Sequence, residues 1–245
     1  MRKSLTYILP FREKKLVEMF REKVEINKNK SYAPLVSVII PTYNRAETLL
    51  KRALRSVLDQ TYKNFEIIVV GDHCVDDTEE RLRKIRDPRV KFINLPKRGN
   101  YPKEPLFRWF VAGVSPTNVG LQEAKGEWIA HLDDDDEFFP NHIEVLLKFA
   151  LKHNYEMVYA IVETELSDNT WVKVGEPILK ESSICRCSAL YRAYLKCFKY
   201  DINSWKMKEP VDFNLWRRMK MAGVRIGFIN MVVAKHYKER AQINR

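Results

Sequence analysis

The sequence predicts an α/β fold in which a mixed, mostly parallel, Rossmann-like sheet is flanked by helices. Two short, almost wholly apolar runs read LVSVII (35–40) and FEIIVV (65–70), which is typical of strands buried on both faces of a parallel sheet. An amphipathic helical pattern separates them, and this strand, helix and strand of about 36 residues predict a right-handed parallel crossover. The same alternation continues to residue 153, so the first half of the chain predicts consecutive crossovers.

The elements of this half follow in order. Pro41 predicts the end of the first strand, because proline has no N–H to donate to a neighbour. Asn44 predicts the start of the next helix, with Glu47 three positions later as its capping-box partner. Further helices are predicted at DDTEERLRKI (76–85), NVGLQEA (118–124) and NHIEVLLKFALKH (141–153), and strands at VKFINL (90–95) and EWIAHL (127–132). The irregular stretch 97–115 is predicted to be a loop that folds over the site.

The alternation weakens beyond Tyr155. Strands are predicted at EMVYAIVETEL (156–166) and WVKVG (171–175) around the turn SDNT, and at VRIGFIN (224–230). VDFNLWRRMKMAG (211–223) predicts a helix that ends at Gly223. This half is expected to complete the sheet.

Residues 1–34 are predicted to be a basic helical extension and linker. Its apolar positions can form a stripe, made of Phe11, Leu16, Met19, Phe20 and Val24. Its basic positions lie beside that stripe, at Arg12, Lys14, Lys15, Arg21 and Lys23. Such a helix either packs on the domain or a partner, or lies on an anionic membrane surface.

Composition limits the class of protein. The net charge of +11 suits nucleic acid, anionic lipid or phosphate-rich ligands and does not choose among them. The four cysteines lack CxxC pairs and predict reduced, structural thiols, with Cys185 and Cys187 on one strand. No apolar run is long enough for a spanning helix, so a cytoplasmic protein, at most peripheral on the membrane, is expected. A charged fraction of 31%, rich in Lys and Glu, is typical of thermophilic proteins.

Acidic residues cluster where predicted strands end. Asp72 lies just past a buried strand, where it can accept hydrogen bonds from N–H groups of a ligand, whereas Asp76 and Asp77 predict turn caps. Four carboxylates, Asp133–Asp136, stand between an apolar run and Phe138. They repel one another unless something positive compensates, and their hard oxygens favour Mg²⁺ or Mn²⁺. Asp212, at a helix start, is either a cap or a base that takes a proton from a hydroxyl.

In this order, the segments VSVIIPTYNR, SVLDQTYKNFEIIVVGD, DDT, KGEWIAHLDDDDEF and VDFNLWRRM resemble the family 2 glycosyltransferases of the GT-A fold, from about Val36 to Val233. The resemblance implies transfer of a sugar from a nucleoside-diphosphate sugar to an acceptor hydroxyl, with inversion and with Mn or Mg as cofactor. It implies a carbohydrate or lipid-linked acceptor. It divides residues 35–245 into a nucleotide-sugar-binding half (35–139) and an acceptor-side half (140–245).

The resemblance also implies roles for individual residues. Asp212 corresponds to the general base. The metal ligand is Asp135, and His236 is a further metal ligand, a phosphate contact or simply a surface histidine. The donor nucleotide is bound by residues from four segments: Pro41, Thr42, Tyr43, Arg45, Asp72, Asn118, Asp133 and Asp134. The chain departs from the family's pattern at Gly71, where many relatives have an acid, and at Thr117, where an arginine is commoner.

Two rival functions remain at this stage. One is a metal-dependent nucleotidyl- or phosphotransferase, although no GxxxxGK[ST] or GxGxxG motif occurs. The other is a nonenzymatic protein that binds nucleic acid or an anionic lipid surface. Its basic residues should form one stripe, whereas here they are scattered along the chain, so no nucleic-acid partner is predicted.

Overall fold

A mixed β-sheet organises the chain. The structure is a computed structural model that describes residues 5–26 and 33–238. Its strands are β1 (Val36–Thr42), β2 (Phe65–Gly71), β3 (Val90–Asn94), β4 (Trp128–His131), β5 (Glu137–Phe138), β6 (Met157–Glu165), β7 (Trp171–Val174), β8 (Ala189–Arg192) and β9 (Ile226–His236). Their order is β3-β2-β1-β4-β8-β6-β9-β5, and β7 pairs with β6. This arrangement confirms the predicted α/β class.

Helices cover both faces of the sheet. They are α1 (Leu5–Ile26), α2 (Ala46–Thr48) and α3 (Arg55–Leu58) with a π-helical segment (Leu49–Leu54) between them, α4 (Thr78–Arg83), α5 (Pro105–Phe110), α6 (Val114–Glu123), α7 (His142–His153) and α8 (Val211–Met221). The apolar side chains of α3 and α7 join one core, and those of α1, α6 and α8 join the other. All seven residues of β1 are buried because β1 lies between these layers.

Strand directions decide which loops meet. β1 is parallel to both β2 and β4, with Val36 opposite Phe65 and Trp128. β8 is antiparallel to β4, and β6 is antiparallel to β8, while β9 is parallel to β6. The carboxyl ends of β1, β2, β4 and β9 therefore share one edge of the sheet with the amino end of β8.

Two local predictions at the end of β1 are wrong. The strand continues through Pro41 to Thr42. Its pairing with β4 stops at Ile39, so at Pro41 there is no partner on the β4 side to which an N–H would donate, and proline is tolerated. Asn44 does not cap the next helix, which begins at Ala46 without a side-chain cap. Instead Asn44 adopts φ +51° and accepts a hydrogen bond from the N–H of Val75 at 2.9 Å.

Helix α1 packs on the rest of the fold. The Arg21 guanidinium donates two hydrogen bonds of 2.7 Å to Glu156, Phe20 stacks on Tyr194 at 6.3 Å, and Val17 is fully buried. Of the two readings of this helix, packing on the domain accounts for these residues. The division of the chain at residue 34 stays a prediction, as does the boundary at residue 139. Within the described residues, no helix combines the length and the apolar character needed to cross a bilayer.

Several short elements were not predicted by the sequence pattern. β5 has two residues and β8 has four, and short 3-10 turns occupy much of the stretch 181–207. Cys185 precedes the 3-10 turn Arg186–Ser188 and Cys187 lies within it, so the two do not lie on one strand as predicted. All four cysteines are free, as predicted. Gly223 follows the last turn of α8 with φ +79°, which confirms the predicted helix end.

Candidate active site

Asp134 and Asp135 lie at the carboxyl edge of the sheet and share one arginine. The Thr42 hydroxyl donates to Asp134 Oδ2 at 2.7 Å, and Arg45 Nη1 lies 3.1 Å from Asp134 Oδ1 and 2.8 Å from Asp135 Oδ2. Burial raises the pKa of Asp134 to about 6, against the opposing charge of Arg45. Burial, together with the charges of Asp136 and Asp134, raises the pKa of Asp135 to about 8. Burial and mutual repulsion therefore disfavour the fully ionised state of this pair of carboxylates.

Asp133 faces a buried arginine from another part of the chain. Arg186 Nη1 donates to Asp133 Oδ1 at 2.8 Å, and the Arg186 side chain is only 10% exposed. Its guanidinium also lies 5.3 Å from the ring centre of Tyr200. Sequence reasoning missed Arg186. The available signal was one cation within the otherwise apolar and small residues of ICRCSAL (184–190).

His236 contacts Asp136, and Asp135 is the carboxylate that was predicted as a metal ligand alongside it. Its Nδ1 lies 3.0 Å from Asp136 Oδ2 and 3.1 Å from Oδ1, while the N–H of Tyr237 donates to Asp136 at 3.0 Å. The charge of Asp136 raises the pKa of His236 to about 9. Asp136, His236 and the Cys187 thiol offer ligand atoms within 4.8 Å of one another. Asp135, the other predicted ligand, instead contacts Arg45.

Asp72 is buried at the end of β2, beside the stretch 97–115. It accepts a hydrogen bond from the N–H of Gly99 at 2.9 Å, and Arg98 Nε lies 3.8 Å from its other oxygen. The Arg98 guanidinium stacks on the ring of Tyr43 at 3.6 Å. Gly71 is confined at this point, since a Cβ there would lie 2.7 Å from the side chain of Asn94. Close packing therefore explains why glycine replaces the family's acid.

Two of the predicted donor-binding residues make structural contacts. Asn118 exchanges two hydrogen bonds with the backbone of Tyr200, at 2.9 and 3.0 Å. Both ends of its amide are thus engaged, and this arrangement gives no support to the predicted nucleotide contact. Pro41 is buried and lies against Gly113, where an added Cβ would be 3.5 Å from the Pro41 ring. Gly113 has φ +72° and starts α6.

Asp212 reaches the site from the second half of the chain. It is the second residue of α8, is half-buried, and accepts a hydrogen bond from the N–H of Phe213 at 2.8 Å. Burial raises the pKa of Asp133, Arg186 opposes that shift, and the charges of Asp136 and Asp212 add to it. Asp212 is therefore close enough to Asp133 for their charges to interact, and the structure brings all three acidic clusters to one region.

Comparison with known proteins identifies the family. Residues 37–102 and 116–212 match the family described as Glycosyl transferase family 2. The chain belongs to glycosyltransferase family 2. The predicted family is thereby confirmed, and it favours the transferase over both rival functions.

Named relatives of this family 2 chain act on lipid-linked sugars. The chain is 29% identical over 207 residues to the Escherichia coli UDP-Glc:alpha-D-GlcNAc-diphosphoundecaprenol beta-1,3-glucosyltransferase WfgD, a match that covers 80% of this chain and 75% of that protein. It is 33% identical over 157 residues to the Campylobacter jejuni GalNAc(5)-diNAcBac-PP-undecaprenol beta-1,3-glucosyltransferase, with coverage of 62% and 46%. Matches to three uncharacterized glycosyltransferases of Rickettsia cover about half of this chain and only 16 to 18% of those longer proteins.

Solved structures share the fold. The Staphylococcus aureus protein TarS, residues 1–349 in complex with UDP-GlcNAc, has a TM-score of 0.66 and 20% identity, and the match covers 84% of this chain and 59% of that one. The mannosyltransferase PcManGT from Pyrobaculum calidifontis, in complex with GDP-Man and Mn²⁺, has a TM-score of 0.63 and 16% identity, with coverage of 99% and 70%. These similarities confirm the predicted GT-A fold.

Proposed function

We propose that the protein transfers a sugar from a nucleoside-diphosphate sugar to a hydroxyl of a lipid-linked acceptor, with inversion at the anomeric carbon. The observation that carries the proposal is the meeting of Asp72, the Asp133–Asp136 cluster and Asp212 at the carboxyl edge of the sheet. In open α/β sheets this edge is where ligands bind. Family membership supplies the reaction class, and the names of two relatives supply the acceptor class.

The donor nucleotide would lie along the loop that follows β1. Asp72 can accept hydrogen bonds from the base once the N–H of Gly99 shares or releases it. Tyr43 and the stacked Arg98 offer a planar surface and a positive charge beside that acid. Thr42 and Arg45 hold Asp134 in place, and Arg186 holds Asp133, so that both carboxylates would present fixed acceptors to the ribose or sugar.

The carboxylates fit a divalent cation. Asp135 is largely buried and shares its arginine with Asp134, and burial, together with the charges of Asp136 and Asp134, raises its pKa to about 8. A carboxylate in such surroundings gains stability when a hard cation is added, and Mg²⁺ or Mn²⁺ prefers its oxygens. Asp135 would hold the ion, with His236 as a further candidate once it gives up its proton. A bound divalent ion would neutralise charge on the departing nucleoside diphosphate.

Asp212 would act as the general base. It would take the proton from the acceptor hydroxyl as that oxygen forms a bond to the anomeric carbon and the bond from that carbon to the diphosphate breaks. Its half-exposed position leaves it accessible to an acceptor, whereas Asp133 is committed to Arg186. A single displacement by one acid in this position would invert the anomeric configuration.

Thermal unfolding with nucleotides tests donor binding. The protein is heated with UDP, GDP, dTDP or CDP, each with and without MnCl₂, because a ligand that binds the folded state raises the unfolding temperature. One diphosphate should stabilise the protein, and more so with Mn²⁺. The Asp135→Asn variant should lose the metal-dependent part. The matched control is Asp168→Asn, an exposed acid in the turn between β6 and β7, which should respond like the wild type.

A transfer assay tests the reaction itself. UDP-glucose or the sugar nucleotide that binds in the thermal screen is incubated with a GlcNAc-diphosphate polyprenol, and the product is analysed for anomeric configuration. The Asp212→Asn variant should bind the donor normally and lose transfer by about a hundredfold or more, as expected for a missing general base. Absence of any response to all four diphosphates would contradict the proposal, and a retained configuration would contradict the inverting mechanism.

A further inference from the structure

An apolar patch lies exposed on the stretch 97–115 and on a neighbouring turn. Helix α5 and the 3-10 turn Ser204–Met207 contribute it, and it consists of Leu106, Phe107, Trp109, Phe110, Trp205 and Met207. Leu106 is 56% exposed, Trp109 57% and Met207 52%. We refer to these six residues as the aromatic patch. Large exposed apolar side chains grouped in this way indicate an interaction surface.

The patch is a continuous surface, because its half-buried members join the two elements. Phe107 packs on Trp205 at 5.2 Å and on Phe110 at 6.4 Å, and Trp109 lies 5.6 Å from Phe110. Arg108 donates to the backbone carbonyls of Pro102 and Lys103, which ties α5 to the chain that precedes it. The exposed side chains are therefore presented from a packed base.

Cationic residues flank the members of the aromatic patch in the sequence, and Lys206 Nζ lies 5.6 Å from the ring centre of Trp205. The segments 97–110 and 204–209 contain six Lys or Arg residues and only two acids. One of the acids, Glu209, is already paired with Arg217 at 2.8 Å. Four lysines of these segments are exposed, namely Lys97, Lys103, Lys206 and Lys208. Exposed apolar and aromatic side chains on segments that also carry exposed lysines match the chemistry of an anionic lipid surface, where rings enter the headgroup region and ammonium groups meet anionic headgroups.

Both ends of the segment that carries α5 attach to the donor site. At one end, the N–H of Gly99 donates to Asp72 at 2.9 Å. At the other end, Gly113 lies against Pro41, and a Cβ built on Gly113 would be 3.7 Å from Arg186 Nη1. A surface that holds this segment therefore also orients the site. This placement differs from the predicted membrane contact through α1, whose residues Val17 and Phe20 pack on the domain.

We propose that the aromatic patch docks the protein on an anionic lipid bilayer, with Leu106, Trp109 and Met207 entering the headgroup region. The purpose of this contact rests on the proposed function, since a lipid-linked acceptor is held at a bilayer surface and must reach Asp212. The contact itself is a property of the surface and needs no donor or acceptor.

Vesicle sedimentation with the full chain tests the docking. The protein is spun with vesicles of phosphatidylcholine that contain about 30 mol% phosphatidylglycerol, and with vesicles of phosphatidylcholine alone. The wild type should bind the anionic vesicles, and binding should weaken as salt screens the lysines. The Leu106→Ser/Trp109→Ser variant should lose about tenfold or more of its partition coefficient. Its unfolding temperature should stay unchanged, because both side chains are exposed.

Two matched variants separate this surface from others. Ile178→Ser/Met221→Ser removes apolar side chains that are 67% and 52% exposed outside the aromatic patch, and it should bind vesicles like the wild type. Arg12→Gln/Lys14→Gln/Lys23→Gln removes exposed charge from α1 and should lose much less binding than the patch variant.

Three results would overturn the proposal. The first is a wild type that does not bind anionic vesicles, and the second is a patch variant that binds them as well as the wild type does. The third is self-association without lipid that depends on Trp109, which would assign the patch to a second copy of the chain. The assay contains no nucleotide, and the thermal screen contains no lipid. Failure of the docking is therefore distinguishable from failure of the proposed enzyme activity.

Discussion

Replacing the buried His142 should change how the stability of the fold depends on pH. His142 is the first residue of α7, fully buried, and its ring stacks on Phe138 with centroids 3.6 Å apart. Nδ1 lies 3.1 Å from the carbonyl oxygen of Val233, which assigns the single ring proton to Nδ1. Burial lowers the pKa of His142 from 6.5 to about 3, and a helix N-terminus also disfavours positive charge.

The pKa values give the size and the sign of the effect. Below pH 6.5 the unfolded chain takes up a proton on His142, whereas the folded chain does not until about pH 3. Folding therefore becomes less favourable as the pH falls through that window. Because pH 5 lies about 1.5 pH units below the pKa of the unfolded chain, protonation of His142 stabilises the unfolded state by about 2 kcal/mol there. At pH 7.5 it stabilises the unfolded state by almost nothing.

Urea unfolding of the wild type and of His142→Asn at pH 7.5 and pH 5 measures the effect. Asn keeps an amide donor for the Val233 carbonyl and removes the titration. Its smaller volume lowers stability at both pH values alike. Between the two pH values the wild type should therefore lose about 2 kcal/mol more free energy of unfolding than the variant. His131, also buried with a lowered pKa, contributes equally to both proteins. Equal losses in the two proteins would refute the reasoning.

Three further predictions concern the site and its supports. Arg186→Met should lower the free energy of unfolding by about 1.5 to 3 kcal/mol because it leaves the half-buried Asp133 without its partner, and Arg186→Met/Asp133→Asn should recover part of that loss in urea unfolding. Asn118→Ala should lower the free energy of unfolding by about 2 kcal/mol, because it removes two hydrogen bonds to Tyr200. Calorimetry should find the same nucleotide affinity as for the wild type, and a large loss of affinity would restore the predicted donor contact. Glu156→Gln should speed hydrogen exchange in α1 at least about tenfold without changing exchange in β1, since it weakens the buried ion pair that anchors the helix.

The sequence predicted the elements that local pattern determines. β1, β2, α7 and α8 are long or apolar enough for their period or composition to identify them. The two residues of β5 and the four of β8 have no such pattern, because their pairing with β9 and β4 comes from residues far away in the chain. The 3-10 turns of 181–207 are short and have no period to detect. The end of β1 near Pro41 depends on where β1 stops pairing with β2 and with β4, and the sequence of β1 alone does not contain that information.

The same limit explains what the sequence could and could not predict about charge. Four adjacent aspartates suggested that an external cation must bind, yet Arg45 and Arg186 already lie against three of them. Both arginines arrive through topology. β4 lies between β1 and β8, so Arg45, just beyond the end of β1, and Arg186, just before antiparallel β8, flank the carboxylates that follow β4.

β9 brings His236 to the same edge because β9 runs in the direction of β4, and His236 there pairs with Asp136. The negative charge left for an added cation to compensate is therefore smaller than four adjacent aspartates suggested. Arg45 contacts two carboxylates, and burial together with neighbouring negative charge raises the pKa of Asp135 further than that of Asp134. If Asp135 holds the proposed divalent ion, Asp135→Asn should abolish Mn²⁺-dependent stabilisation. Asp136→Asn, whose carboxylate is held by His236 and the N–H of Tyr237, should weaken it less.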